Sequence, residues 1–430
     1  MNKRRLKLVL LLSTFCLLLI SGVIQAKTKV TFWIDRDEIS EFTEPTLFEL
    51  VDEYNKKHKN IFIDLKNVMS SGSGATGTGS ASSYNTKVMA ALATNIGPDI
   101  WWNYDADMAP PIAAGYVDPA PSYVTENMKK NGIYEWVLQA MSMNTGKVYG
   151  VPHDVMWGAM LYNKKFFREA GLDPEEGPKT WDDFINYAIK LSKWDKNGKL
   201  IRAGYSVRFT GGLVGTADKW AHFLMCAGGQ LLDESGEKAA FNSKAGIEAL
   251  QLYVDLVHKY KVDALDFPRD IQAFAQGYIA MIAPREAFMI PWIREYARDL
   301  DLGVCYMPAK TRHASSGAVR MISVNQNSKV KEEAWAFLDW LNQPKQAKRM
   351  YVNNKQLPAY APLAESPIYD GIEFKAWTTH PNVIARAESV KLGEIYPIIG
   401  RAVQSAVYQK QGVKEALDDA AAQVNKILSK

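Results

Sequence analysis

The residues best suited to chemistry are aromatic side chains set beside polar ones where segments end. Trp33 stands ahead of Asp35, and Tyr104, Asp105 and Asp107 follow the pair Trp101 and Trp102. His153 and Asp154 lead to Trp157, Trp220 precedes His222, and Arg285 and Phe288 follow the apolar run from Ile279 to Ala283. An aromatic face suits the C–H face of a sugar ring, while Asp, Asn and Arg exchange hydrogen bonds with its hydroxyls. A place in the core is the ordinary alternative for any one tryptophan. Strand alternation points Trp101 and Trp102 to opposite faces, so at least one of them is structural.

Other chemistries have weaker support. The run from Ser70 to Ser83 is rich in glycine and serine, but no Gly-Lys-Ser/Thr ending makes it a phosphate cradle. It is expected to be a surface loop or a cover over a ligand. Asp195-Lys-Asn-Gly198 and Asp233-Glu-Ser-Gly236 lack the glutamate of a calcium loop and are expected to be turns. There is no His-Glu-x-x-His, Cys-x-x-Cys or Gly-x-Ser-x-Gly. No metal, cofactor or catalytic residue is expected. A carboxylate pair for glycoside hydrolysis stays open, although Asp105 and Asp107 are too close in sequence to flank a bond.

Strands alternating with helices must position these residues. Lys29–Ile34, Ile61–Val68 and Asp99–Asn103 read as strands, and Phe42–His58 and Tyr84–Thr94 as helices. This is an α/β pattern with largely parallel sheets. A strand running into Pro152 is followed by a second strand from Ala159 to Tyr162 and a helix capped by Asn163. Thr180 then opens another helix with Asp183 three residues on, a capping box. Such a segment can carry the chain from one lobe to another. Further strands are expected at Gly204–Arg208 and Ile279–Ala283, and helices after an Asn242 cap, over Lys331–Leu341 and over Val413–Leu428. The expected division is 27–155 and 314–360 for the first lobe, and 156–313 and 361–430 for the second.

The 430 residues are enough for two cores. Residues 1–26 have a basic head (Lys3, Arg4, Arg5, Lys7), an apolar run and a small residue at Ala26, which read as a secretory signal peptide. Its removal takes away four basic residues and no acidic ones, leaving 47 of each sign. A neutral chain without a basic block argues against a nucleic-acid binder. Cys226 and Cys305 are expected to be buried free thiols, with a disulfide the alternative.

Several short motifs, in order, resemble the extracellular solute-binding proteins of ABC importers, in the sugar-binding group that includes maltose-binding protein. They are Gly97-Pro-Asp-Ile100, Ala114-Gly-Tyr-Val-Asp-Pro119, Tyr149-Gly-Val-Pro152, Leu161-Tyr-Asn-Lys164, Lys179-Thr-Trp-Asp-Asp-Phe184, Gly277-Tyr-Ile-Ala-Met281 and Glu333-Ala-Trp-Ala-Phe-Leu338. The resemblance implies an α/β, two-lobed periplasmic-binding-protein fold with three hinge crossings and a ligand cleft between the lobes. It implies a carbohydrate ligand, an oligosaccharide by preference, handed to membrane permease subunits by a secreted or periplasmic monomer. It also places ligand contacts at Tyr104, Asp105 or Asp107, at His153 to Trp157, and a stacking ring at Phe288 or Trp292. A secreted carbohydrate-active enzyme and a binder of a non-sugar solute remain the alternatives.

Overall fold

The computed structural model of the chain describes residues 27–35, 45–68, 80–353, 356–369, 371–380, 382–386 and 389–430. The expected signal peptide and residues 70–79 of the Gly/Ser-rich run lie outside the described residues.

Two sheets organise the molecule. In the first, the strand order is Val383–Ala385, Ser315–Asn325, Ile100–Tyr104, Thr28–Ile34 and Ile61–Asn67, with Val117–Asp118 and Val151–Trp157 also paired to Ser315–Asn325. Thr28–Ile34 runs parallel to both of its neighbours. The second sheet runs Leu302–Cys305, Ala159–Asn163, Ile279–Arg285, Leu200–Ser206 and Lys193–Trp194. Only Leu200–Ser206 and Ile279–Arg285 are parallel there. The sheets are therefore mixed, not largely parallel. Ser315–Asn325 lies antiparallel between two sets of strands because the chain enters it from the second sheet and returns toward the first.

The inner strands Ile100–Tyr104, Ala159–Asn163 and Ile279–Arg285 are buried on both faces, which explains their nearly unbroken apolar runs, while Ile61–Asn67 and Lys193–Trp194 at the sheet edges are partly exposed. Phe32, Ile34, Ile100, Trp101, Ile322 and Val324 are fully buried in the first sheet. In the second, Tyr205 meets Phe184 edge-on at 4.7 Å between ring centres, and Phe223 lies between Tyr205 and Tyr253. Helix Leu392–Val407 packs along helix Leu213–Cys226, and helix Val413–Leu428 along Leu392–Val407.

Local signals set several boundaries. Asn163 accepts the Lys165 amide and starts helix Lys164–Glu169, and Thr180 and Asp183 form the reciprocal capping box of helix Trp181–Leu191. The cap of helix Lys244–His258 is Ser243, one residue after the expected Asn242. The Asn242 amide is instead donated to Asp418 at 2.9 Å. Asp195 and Asp233 build turns, each accepting backbone N–H groups two to five residues ahead.

Sheet membership shows where the chain changes sheets. The whole strand Val151–Trp157 belongs to the first sheet and Ala159–Asn163 to the second, so the first passage falls at Gly158 and not between residues 155 and 156. Leu357 bridges to Val155 and Tyr360 to Ile133, keeping that stretch against the first sheet. Val383–Ala385, in the stretch expected in the second lobe, pairs with Ser315–Gly317 of the first sheet.

Candidate functional site: the meeting of the strand ends

Gly158 is where the two sheets meet. The parallel strands Thr28–Ile34 and Ile100–Tyr104 end on one side of it, and Leu200–Ser206 and Ile279–Arg285 on the other, since Ala159 lies opposite Arg285. Ligands of open α/β sheets sit outside such carboxyl ends. The passage at Gly158 is bonded to the returning passage at Ser315. The Gly158 N–H donates to Ser315 Oγ at 2.8 Å, and the Gly158 carbonyl lies 2.9 Å from the same hydroxyl. His222 Nδ1 accepts the Ser316 N–H at 3.2 Å.

A chain of charges crosses this junction. Asp105 opens helix Asp105–Ala113 and is fully buried. Its Oδ2 accepts the Val319 N–H at 3.0 Å, and its Oδ1 accepts Arg386 Nη2 at 2.5 Å. Arg386 Nη1 is 3.6 Å from Asp218 on helix Leu213–Cys226, and Asp218 is 3.1 Å from Lys219, which also pairs with Glu286. Burial alone would raise the Asp218 carboxyl, but Lys219 and Arg386 outweigh it and hold it well below the usual range. Glu286 is lowered in the same way, with burial opposed by Lys219. For Asp107, burial prevails over Arg386 and raises the carboxyl.

A second cluster surrounds Arg320 of strand Ser315–Asn325. Its Nη2 donates to the Tyr104 hydroxyl at 2.9 Å, and it stands 3.5 Å from Asp154 Oδ2. Its guanidinium lies 4.9 Å from the Trp102 ring centre and 5.0 Å from that of Tyr104. Gln356 Nε2 donates to Asp154 at 3.1 Å, and the His153 ring sits 4.7 Å from Trp102.

The residues named from sequence separate into three groups. Tyr104, Asp105, Asp107, His153 and Asp154 gather around Arg320 and Arg386. Trp33 and Asp35, both half-buried, come off the strand beside theirs, since Trp33 is in register with Trp101. On the other side, Arg285 is buried, Phe288 exposed, and Trp292 half-buried on helix Met289–Tyr296. Trp157 and Trp220 are corrections. Trp157 packs edge-on against Trp136 and donates its Nε1 to the Trp377 carbonyl at 3.1 Å. Trp220 is fully buried against Phe241. Both are core residues, not cleft walls. Sequence reasoning missed Asp218, Lys219, Arg320 and Arg386. Among the described residues, no group of three or more His, Cys, Asp or Glu is placed to hold a metal ion.

Two α/β sheets with their strand ends facing a doubled passage of the chain, lined by charge and aromatic rings, define the periplasmic-binding-protein class. The chain belongs to the bacterial extracellular solute-binding proteins, whose family model matches residues 41–348. It is similar to a binding protein of Brucella abortus, 29% identical over 334 residues that make up 74% of this chain and 77% of that one. It is also similar to the sn-glycerol-3-phosphate-binding periplasmic protein UgpB of Escherichia coli, 23% identical over 79% of this chain and 82% of that one. Among solved structures, a solute-binding protein of Thermotoga lettingae bound with α-D-tagatose matches with a TM-score of 0.75 at 24% identity, over 94% of this chain and 100% of that one. The cyclic α-maltosyl-1,6-maltose binding protein of Arthrobacter globiformis matches with a TM-score of 0.78 at 22% identity, over 94% of this chain and 99% of that one. No helix among the described residues is long and apolar enough to cross a membrane.

Proposed function

We propose that this protein captures a carbohydrate between two lobes, each centred on one sheet, and hands it unaltered to the permease of an ABC importer. The observation that carries this reading is the convergence of four strand ends on Gly158, with half-buried or exposed rings and carboxylates on both sides. Family membership and solved neighbours named for sugars support it. Trp33, Asp35, Tyr104 and Asp107 offer contacts from the first lobe, and Arg285, Phe288 and Trp292 from the second. The two lobes close on the ligand because it binds the closed form more tightly than the open one. Asp105, Asp154, Arg320 and Arg386 hold the walls in place. No bond of the sugar is broken, and the protein works outside the cytoplasm after loss of residues 1–26, as a monomer.

Calorimetric titration with a panel of mono- and oligosaccharides tests the reading. At least one is expected to bind with micromolar affinity or better, about −8 kcal/mol. Failure of the whole panel, or release of cleaved sugar, would overturn it.

A further inference from the structure

The charges of the second lobe do not balance locally. Arg285, at the end of strand Ile279–Arg285, is only 6% exposed, yet among the described residues its one side-chain hydrogen bond goes to the neighbouring Pro284 carbonyl at 3.1 Å. Arg208 follows the adjacent strand Leu200–Ser206. Its Nε is buried and without a partner. Among the described residues neither guanidinium has a carboxylate within ion-pairing distance, because Glu286 is engaged by Lys219, and Asp218 by Lys219 and Arg386. Arg208 is half-buried and Arg285 buried, and proteins rarely bury a cation unpaired, because the desolvation penalty has nothing to offset it.

The surroundings reinforce the pattern. The charges of Arg285 and Arg208 both act on the Tyr253 hydroxyl, which is buried and has no hydrogen-bond partner. Arg208 Nη2 lies over a glycine turn, where a Cβ at Gly211 would be 3.1 Å from it and one at Gly215 3.5 Å. That turn opens the 14-residue helix Leu213–Cys226, whose N-cap, Gly212, supplies no side-chain cap. Thr216 Oγ1, in the first turn of the helix, is a further buried hydroxyl without a partner. Two guanidiniums, unsatisfied hydroxyls and the positive end of a helix dipole all favour negative charge at one place.

We infer that the ligand carries an anionic group, a carboxylate or a phosphate, received by Arg208 and Arg285 beside the first turn of helix Leu213–Cys226. This rests on the carbohydrate reading above and narrows it to acidic sugars, such as uronates or phosphorylated sugars. The charged group lies against the second lobe, leaving the neutral hydroxyls to the first.

Calorimetry on the whole protein with matched ligands tests the inference. The arms are a uronate oligosaccharide against its neutral counterpart, glucose 6-phosphate against glucose, and glycerol 3-phosphate and inorganic phosphate alone. An acidic sugar is expected to bind at least tenfold more tightly than its neutral partner, and the arm in which it does so tells carboxylate from phosphate. Arg208→Gln and Arg285→Gln should each cut that ratio about tenfold or more, and Arg208→Lys should cut it less. Melting of the unliganded variants establishes that they fold. If Arg285→Gln does not, Arg208→Gln alone carries the test. Equal binding of acidic and neutral sugars, or an undiminished ratio in Arg208→Gln, overturns the anion site and leaves the carbohydrate reading standing. Binding of the phosphate compounds with no response to any sugar would do the reverse.

Discussion

Asp105 and Arg386 are 281 residues apart in sequence and 2.5 Å apart in space. The first belongs to a helix of the first sheet, and the second follows the strand Val383–Ala385 and reaches on to Asp218 beside the second. Burial alone would lower the Arg386 guanidinium. Asp105 and Asp218 outweigh that effect and raise it above its ordinary value, so Arg386 is a permanent cation at the junction.

Arg386→Met leaves the buried Asp105 carboxylate without its cation. Breaking a buried pair in this way costs about 3–5 kcal/mol. Urea unfolding should show that loss relative to the native protein. A change below about 1 kcal/mol would mean that the Val319 and Ala106 N–H groups, both of which donate to Asp105, satisfy it without help.

His222 should make stability pH-dependent. Its ring accepts the Ser316 N–H through Nδ1, and burial, ahead of the opposing pull of Asp218, lowers it from 6.5 to about 4. The unfolded chain takes up this proton below about pH 6.5, and the folded chain only near pH 4. The contribution is therefore complete above pH 6.5 and falls by about 1.4 kcal/mol per pH unit as pH drops through that window. Asp263 acts in the opposite sense. Burial raises it from 3.8 to about 6, so its folded form gains stability as pH falls over that range. The two effects partly cancel in the native protein. His222→Gln should separate them: its stability relative to the native protein should improve by about 2 kcal/mol between pH 7 and pH 4.5 in parallel denaturation curves. Curves that keep a constant separation would rule this out.

Gly158→Ala should destabilise the junction itself. A Cβ there would lie 2.3 Å from Pro284 Cβ and 2.8 Å from His222 Cε1. Overpacking of this kind costs about 1–3 kcal/mol and shifts the backbone. The melting temperature should fall, with weaker ligand binding alongside. An unchanged melting temperature would show that Pro284 yields without strain.

Cys226, fully buried, and Cys305, half-buried, are free thiols, and desolvation pushes both up to about 12. Cys226 donates to the Ala314 carbonyl at 3.2 Å, and the Cα of Gly177 closes over Cys305 so tightly that a Cβ would lie 2.2 Å from its sulfur. Thiolate is the reactive form. Ellman's reagent at pH 8 should label neither residue in the folded protein and both after unfolding. Rapid labelling of one equivalent in the folded state would show that one thiol ionises readily where it sits.

The features legible in the sequence are the local ones. The Asn163 cap, the Thr180–Asp183 box and helices Lys331–Leu341 and Val413–Leu428 rest on residues within a few positions of one another. Arg386, Asp218 and Arg320 were invisible because their partners come from remote segments, as with Asp105 and Val319, 214 residues apart. The aromatic-beside-polar pattern fell on strand ends at Trp33, Tyr104, Trp157 and Arg285 but inside helix Leu213–Cys226 at Trp220, and it could not tell an exposed ring from a packed one. Trp157 and Trp220 carry the same signature as Trp33, yet helices packed on them close them off from solvent. The mixed sheets were equally hidden, because the orientation of Ser315–Asn325 follows from where the chain arrives and not from its own residues.

Strand Ser315–Asn325 bonds to four other strands of the first sheet, and helix Leu392–Val407 completes the packing over Leu213–Cys226. Each half is therefore completed by segments that come late in the chain. A polypeptide of this design gains the last neighbours of its central strand and the cover over Leu213–Cys226 only from its final hundred or so residues.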